Sequence, residues 1–553
     1  MLNLFQPSIL RPCAALLLAG SILPMVTSEE AAFEVVSESH IGPPVASGNS
    51  GPMRFVPALH KAFDLERVMK SVRFADQYYR APANDGYQAV MEHIEERLRA
   101  AGFGSKEGFE LKIFEMDLGH KAWTPISARL ELVSPDGSRK VLHELNETGD
   151  RDRTMLPQNC PSAKVEGEAV MHLDQIIHGK ILLTEAPLSH SLLRRARMRG
   201  AAAVVSGSLY PFNEDTTGKL RHLDAIQYVK VTGGSKMPVC QISQRTLKLL
   251  REELKKSGIL NLAFEANIKF DDRKLETIVA TIVGGVTPNE AVPIVSHVQE
   301  PGACDNASGL AGLLESAIGC AALVEDGTIP RPARSVAFVW GDEFRQSETW
   351  LAQSKRTAVA AISSDMTGES REVTGAMALL ERMPDPGALI PLEPDFHTPW
   401  GAGAVDPESL SPNGFSIMAR CAMLDVSRHE DGKWLTGDHP WEGGSDHDTF
   451  INMDVPAVLF WHFTDYAYHT SLDRLENVDA SEMRRTGTAI LATALSAADP
   501  RKSDLKRYLA SIEAELEVRV KAAKKVSDME LAGQWEDWCK GATEWFKNEC
   551  KSR

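Results

Sequence analysis

Six side chains of metal-binding type sit where apolar runs of the chain stop. His297 ends "AVPIVS", Asp305 follows in the loop "EPGACDNASG", and Asp342 and Glu343 end "RSVAFVWG". Asp365 ends "AAISS", and His469 lies just past "PAVLFWHF" in "DYAYHTSLD". One strand-end Asp by itself usually caps the next helix. Four strand ends carrying one ligand type are a different matter. Two histidines and several carboxylates, with no cysteine, suit two hard or borderline dications such as zinc. Two such ions about 3.5–4 Å apart can share one water. A carboxylate between them must bridge both, and another must stay unligated to take the water's proton. Neighbours on an extended strand point to opposite sides, so of Asp342 and Glu343 one can bind metal while the other faces the water.

The elements that must place these residues are short, uniformly apolar runs: "ETIVATIVG", "AVPIVSH", "RSVAFVWGD", "AAISSDM" and "PAVLFWHF". That is the pattern of central strands covered on both faces. Helical stretches, "SGLAGLLESAIGCAALVEDG" and "DASEMRRTGTAILATALSAA", lie between and after them. The alternation predicts an α/β fold with a mixed central sheet and helices on both faces, with sites at the carboxyl ends of strands. Residues 160–272 differ in texture and read as a small α/β unit with its own strands and helices. The expected division is 1–28 leader, 29–58 linker, 59–150 first part of the main domain, 151–273 insert, 274–500 core, and 501–553 a helical extension.

Composition narrows the function. The chain has 553 residues, 43% hydrophobic and 25% charged, ordinary for a globular protein, and long enough to bury a large core without disulfides. A formal charge of −16 makes nucleic acid a poor partner. Arg11 before "PCAALLLAGSILPMV", with Val26 and Ser28 at the −3 and −1 positions, reads as a cleaved export signal. A secreted or periplasmic protein with no stable membrane span after cleavage is expected. Seven cysteines remain beyond the leader, so at least one is unpaired. Cys539 and Cys550 are the candidate pair if a turn separates them; on one straight helix they would lie roughly 16 Å apart, too far to bridge.

The ordered set "HVQ", "GACDNASG", "GDEF", "SSDMTG", "GGSDHDTF" and "YHTSLD" resembles the co-catalytic zinc exopeptidases, which include secreted bacterial aminopeptidases and glutamate carboxypeptidases. The resemblance covers about residues 275–500. It implies two zinc ions bridged by Asp305, one completed by His297 and Asp365, the other by Glu343 and His469. It implies Asp342 as general base and Tyr468 as oxyanion donor, with Asn306, Asp446 and His447 in support. The insert resembles a protease-associated domain through "HGKILLTEAP", "RARMRGAAAVVSGS" and "MPVCQIS". The implied activity is peptide hydrolysis, most naturally as an aminopeptidase. A carboxypeptidase of the glutamate-carboxypeptidase type, a glutaminyl cyclase and an inactive binding protein are the alternatives.

Two residues depart from the family pattern. Gln299 stands where an Asp normally accepts the ligand histidine's other N–H; its amide oxygen, or the neighbouring Glu300, would have to serve. Asp342 stands where a glutamate is usual, which sets a base carboxylate one methylene further back.

Overall fold

The computed structural model describes residues 49–146 and 152–551. The expected leader, 1–28, lies outside the described residues. Among them, nine strands form a mixed central sheet. Its order runs Phe109–Asp117, Lys274–Ile282, Arg334–Gly341, Thr287–His297, Ala361–Ser364, Ala457–Phe463, Met377–Glu381 and Thr436–His439, with a two-residue strand, Thr357–Ala358, beside Thr287–His297. The four middle strands, from Arg334–Gly341 to Ala457–Phe463, are mutually parallel. Their carboxyl ends therefore open on one edge, where the metal-type residues stand.

Side-chain alternation explains why these strands read as unbroken apolar runs. Val292, Ile294, Val336, Phe338 and Trp340 enter the larger core on one face. Their neighbours Ala291, Val295, Ala337 and Val339 pack on the other face with Trp350 and Phe450. With both faces covered, polar alternation has no place. The helix Ala307–Glu325 follows the Asp305 loop and is capped by Asn306, whose side chain accepts from the Gly309 N–H. By length and composition this helix would suit a membrane; here it is the central core helix, buried on nearly all sides.

A second sheet is interposed between Asp117 and Lys274. Its order is Arg139–Leu145, Ala122–Val133, Asn261–Asp271, Ala163–Val170, Ile181–Thr184, Ala203–Ser206 and Val239–Gln241. The sequence placed the insert's start at 151, but the second sheet already begins at Ala122. The reason is long-range pairing: Ala122–Val133 runs antiparallel to Asn261–Asp271 along its whole length, which no local pattern announces. The 29–58 linker is also too long by its last residues. Gly51–Arg54 and Val56–Ala62 are short helices, and Phe55, Val56 and Leu59 are buried in the main core.

The C-terminal extension forms two helices packed on each other, Leu505–Lys525 and Met529–Glu549, whose Tyr508, Ile512, Trp535 and Phe546 join the main core. Cys539 lies within the second helix and Cys550 caps it, so no turn separates them; all seven described cysteines are free and buried.

Candidate metal centre

The structure brings His297, Asp305, Glu343, Asp365 and His469 to one pocket, together with Tyr468. Each arrives from a strand end or the loop after it. At these ends four non-glycine residues, Glu300, Phe344, Met366 and His469, have φ between 51° and 86°. Side chains disfavour that left-handed region, and such strain collects where a site over-determines its backbone.

Two groups of ligand atoms form. His297 Nε2 lies 3.0 Å from Asp365 Oδ1, with Glu343 in the same group. His469 Nε2 lies 2.7 Å from Glu300 Oε2 and 2.9 Å from Asp305 Oδ2. Asp305 spans both, since its Oδ1 is 3.7 Å from His297 Nε2. That oxygen is buried and has no hydrogen-bond partner. A bridging carboxylate would present such an atom to a cation.

The electrostatics agree. Burial opposes charge on both imidazoles, but the surrounding carboxylates outweigh it and hold His297 and His469 well above the usual range. Burial, then the Glu300 charge, pushes Asp305 up to about 8. Burial likewise holds Glu343 up. The cluster is short of positive charge, and dications in the two groups would supply it. The donors gathered here, histidines and carboxylates with no cysteine, fit zinc or another borderline ion.

The supporting shell differs from expectation in two linked ways. His297 Nδ1 donates to the backbone carbonyl of Gln299 at 3.0 Å, not to its amide oxygen. That bond fixes the tautomer and frees Nε2 for a metal. The Gln299 amide turns instead to Glu343: its oxygen accepts the Glu343 N–H at 2.8 Å, and its nitrogen donates to Glu343 Oε2 at 3.3 Å. Asp342 is not among the pocket residues. Its carboxylate is nearly buried, 3.8 Å from Arg345 Nε, and raised by burial to about 6. Glu300, not Glu343, stands beside His469.

Other residues hold the frame. Asn306 donates to the His297 carbonyl and accepts from Met366 N–H, tying two strand ends together. Asp446 accepts from Phe344 N–H, Gln346 and Ser347, anchoring the turn after Glu343. His447 pairs with Glu381, and the Ser445 hydroxyl donates to Asp365 Oδ2 at 2.9 Å. Asp473, which closes "YHTSLD", accepts from the backbone N–H groups of Cys304 and Asp305. Tyr468 stacks on His469 with ring centroids 4.0 Å apart. Burial keeps its phenol protonated, able to donate.

Residues between Ala122 and Asp271, which carry the second sheet, also reach the centre. Asn213 donates to the carbonyls of Tyr466 and Tyr468, and Gln227 and the Tyr228 N–H donate to that of His469. Lys230 Nζ lies 2.6 Å from Glu300 Oε1. No local signal marks Lys230, because its partner lies 70 residues on. His439 lies outside this centre: Nε2 accepts from the Trp461 indole and Nδ1 donates to the Pro440 carbonyl.

The central sheet, with its histidines and carboxylates at strand ends, shares its fold with solved peptidase structures. Residues 425–494 match the family model described as Peptidase family M28. Among solved structures, a peptidase M28 precursor from Shewanella amazonensis SB2B superposes with a TM-score of 0.53 at 14% identity, covering 81% of this chain and 97% of its own. The zinc aminopeptidase BSAP from Bacillus subtilis gives 0.52 at 14% identity, covering 80% of this chain and 96% of its own. No curated protein matches the chain in sequence.

Proposed function

We propose that the chain is an exported aminopeptidase working with two zinc ions. The observation that carries this reading is Asp305, whose two oxygens face different histidines while one of them, buried, has no hydrogen-bond partner. His297, Asp365 and Asp305 would hold one ion; His469, Glu300 and Asp305 the other. Bound there, the ions would supply Lewis acidity and a water of lowered pKa.

The residues then divide the work. Glu343 takes the base role expected of Asp342, because it lines the pocket while Asp342 lies beside Arg345. Gln299 holds Glu343 through both amide atoms, so the two departures from the family pattern compensate each other. Glu343 accepts the water's proton and returns it to the leaving amine. Tyr468 donates to the carbonyl oxygen as it gains charge. The N-terminal apolar run supports export, and the likeness of the insert to a protease-associated domain supports its place beside the substrate path. The aminopeptidase direction is supported by the Bacillus subtilis neighbour, itself a zinc aminopeptidase.

Glu343→Gln and Asp342→Asn, assayed on leucine p-nitroanilide with parallel metal analysis, test this. The first is expected to keep two zinc ions and lose turnover by about a thousandfold or more; the second to keep turnover within roughly tenfold. Normal rates in Glu343→Gln, or no zinc in an unchelated preparation, would overturn the assignment. N-acetylated peptides are expected to remain intact.

A further inference from the structure

A single segment of the inserted domain passes from the metal centre into a second cleft. Tyr228 packs edge-on against His469, with ring centroids 5.4 Å apart. Two residues on, Lys230 reaches Glu300. The chain from Lys230 to Met237 then lines a cleft of about 250 Å³ beside the helix His190–Met198. The ionisable residues lining it are His190, Arg194, Arg197 and Lys230; among the described lining residues none is acidic. In a chain of net charge −16 such a cleft is not background. Gly233 and Gly234, which line it, face open space: an added Cβ would meet nothing within 4 Å.

We propose that this basic cleft receives the C-terminal carboxylate of a short peptide whose N-terminus lies at the metal centre. The inference rests on the aminopeptidase reading above. Lys230 lines this cleft and is ion-paired with Glu300 of the metal pocket, so a substrate extending from the metals on the amine side of the scissile bond would run past Lys230 toward Arg194 and Arg197. An extended peptide advances roughly 3.3 Å per residue, so a few residues suffice to bring a terminal carboxylate within reach. Arg supplies forked donors matched to a carboxylate. The enzyme is thereby a processor of short free peptides rather than of long chains, whose terminal charge lies too far away.

The test compares Leu-Gly-Gly, Leu-Gly-Gly amide and Leu-Gly-Asp amide in the wild type and in Arg194→Ala/Arg197→Ala. The free acid is expected to exceed its amide about tenfold in kcat/KM at low salt, and the preference to shrink as salt rises. In the double variant the free acid falls to the rate of its amide. An Asp side chain that fully restores the rate of an amide would overturn the terminal-carboxylate assignment; an Asp amide as slow as the plain amide would support it. Equal rates for acid and amide in the wild type, or an undiminished ratio in the double variant, would overturn the proposal. Leucine p-nitroanilide, which has no carboxylate, reports the metal centre alone. Should it not turn over, calorimetry of the zinc-loaded protein with the same peptides still reads the cleft, and equal affinities for acid and amide would refute it.

Discussion

Asp473→Asn isolates how Asp305, the proposed bridge, is aimed. Asp473 is almost fully buried, and its Oδ1 accepts the Cys304 N–H at 2.6 Å while Oδ2 accepts the Asp305 N–H at 2.9 Å. Asparagine keeps the shape but turns one acceptor into a donor. One backbone N–H then faces an NH₂ group in a buried place. An unsatisfied buried donor costs about 1–3 kcal/mol. Because it belongs to Asp305 or the residue before it, most of that cost falls on the metal-bound geometry. At about 1.4 kcal/mol per decade, zinc affinity is expected to fall roughly tenfold to a hundredfold, the range usual for residues that orient ligands. Titration of the zinc-loaded protein with a competing chelator measures it, with circular dichroism as the check on folding. A folded Asn variant that keeps its zinc affinity within threefold would refute the argument that these two hydrogen bonds set the bridge.

Two further outcomes follow from buried contacts. His447, 2.8 Å from Glu381, is held up to about 9 because Asp448 and Glu381 outweigh the effect of burial. Its ordinary value is about 6.5, so the stabilisation is fully present below pH 6.5 and is lost as pH rises toward 9, worth roughly 3 kcal/mol. Unfolding of the wild type and His447→Gln at pH 6, 7.5 and 9 should show the gap closing with pH; parallel profiles would contradict it. Phe546→Ala should destabilise the protein by about 3–5 kcal/mol, since the ring is fully buried, stacks on Tyr508 at 4.3 Å and packs over Gly414; denaturant unfolding reads this directly.

Strand-end residues were legible in the sequence because a buried strand shows as an apolar run and its first polar residue marks the edge. His297, Asp365 and the Asp342–Glu343 pair stand out that way. What the sequence could not show is which of two neighbours faces the pocket. That depends on the backbone at Phe344, at φ 62°, and on the Gln299 amide across the turn. Glu300 was visible as a neighbour of Gln299, but its place beside His469 follows from its own left-handed φ of 86°. Lys230 and Asp473 act over long sequence separations, where no spacing rule applies. The start of the second sheet was missed for the same reason: the partners of Ala122–Val133 lie at the far end of the insert, in Asn261–Asp271, and leave no local trace.

The loop that bears Tyr468 and His469 belongs to the central sheet by chain order, yet its carbonyls are bonded by Asn213, Gln227 and Tyr228 from the other domain. Ser471 exchanges two more bonds with Ile226. The inserted domain is therefore not a detachable accessory. Exchanging it for a relative's version, or deleting it, would release His469, held at φ 52°, into a relaxed backbone geometry. Grafting experiments on this scaffold should carry residues 213–230 along with the loop they brace.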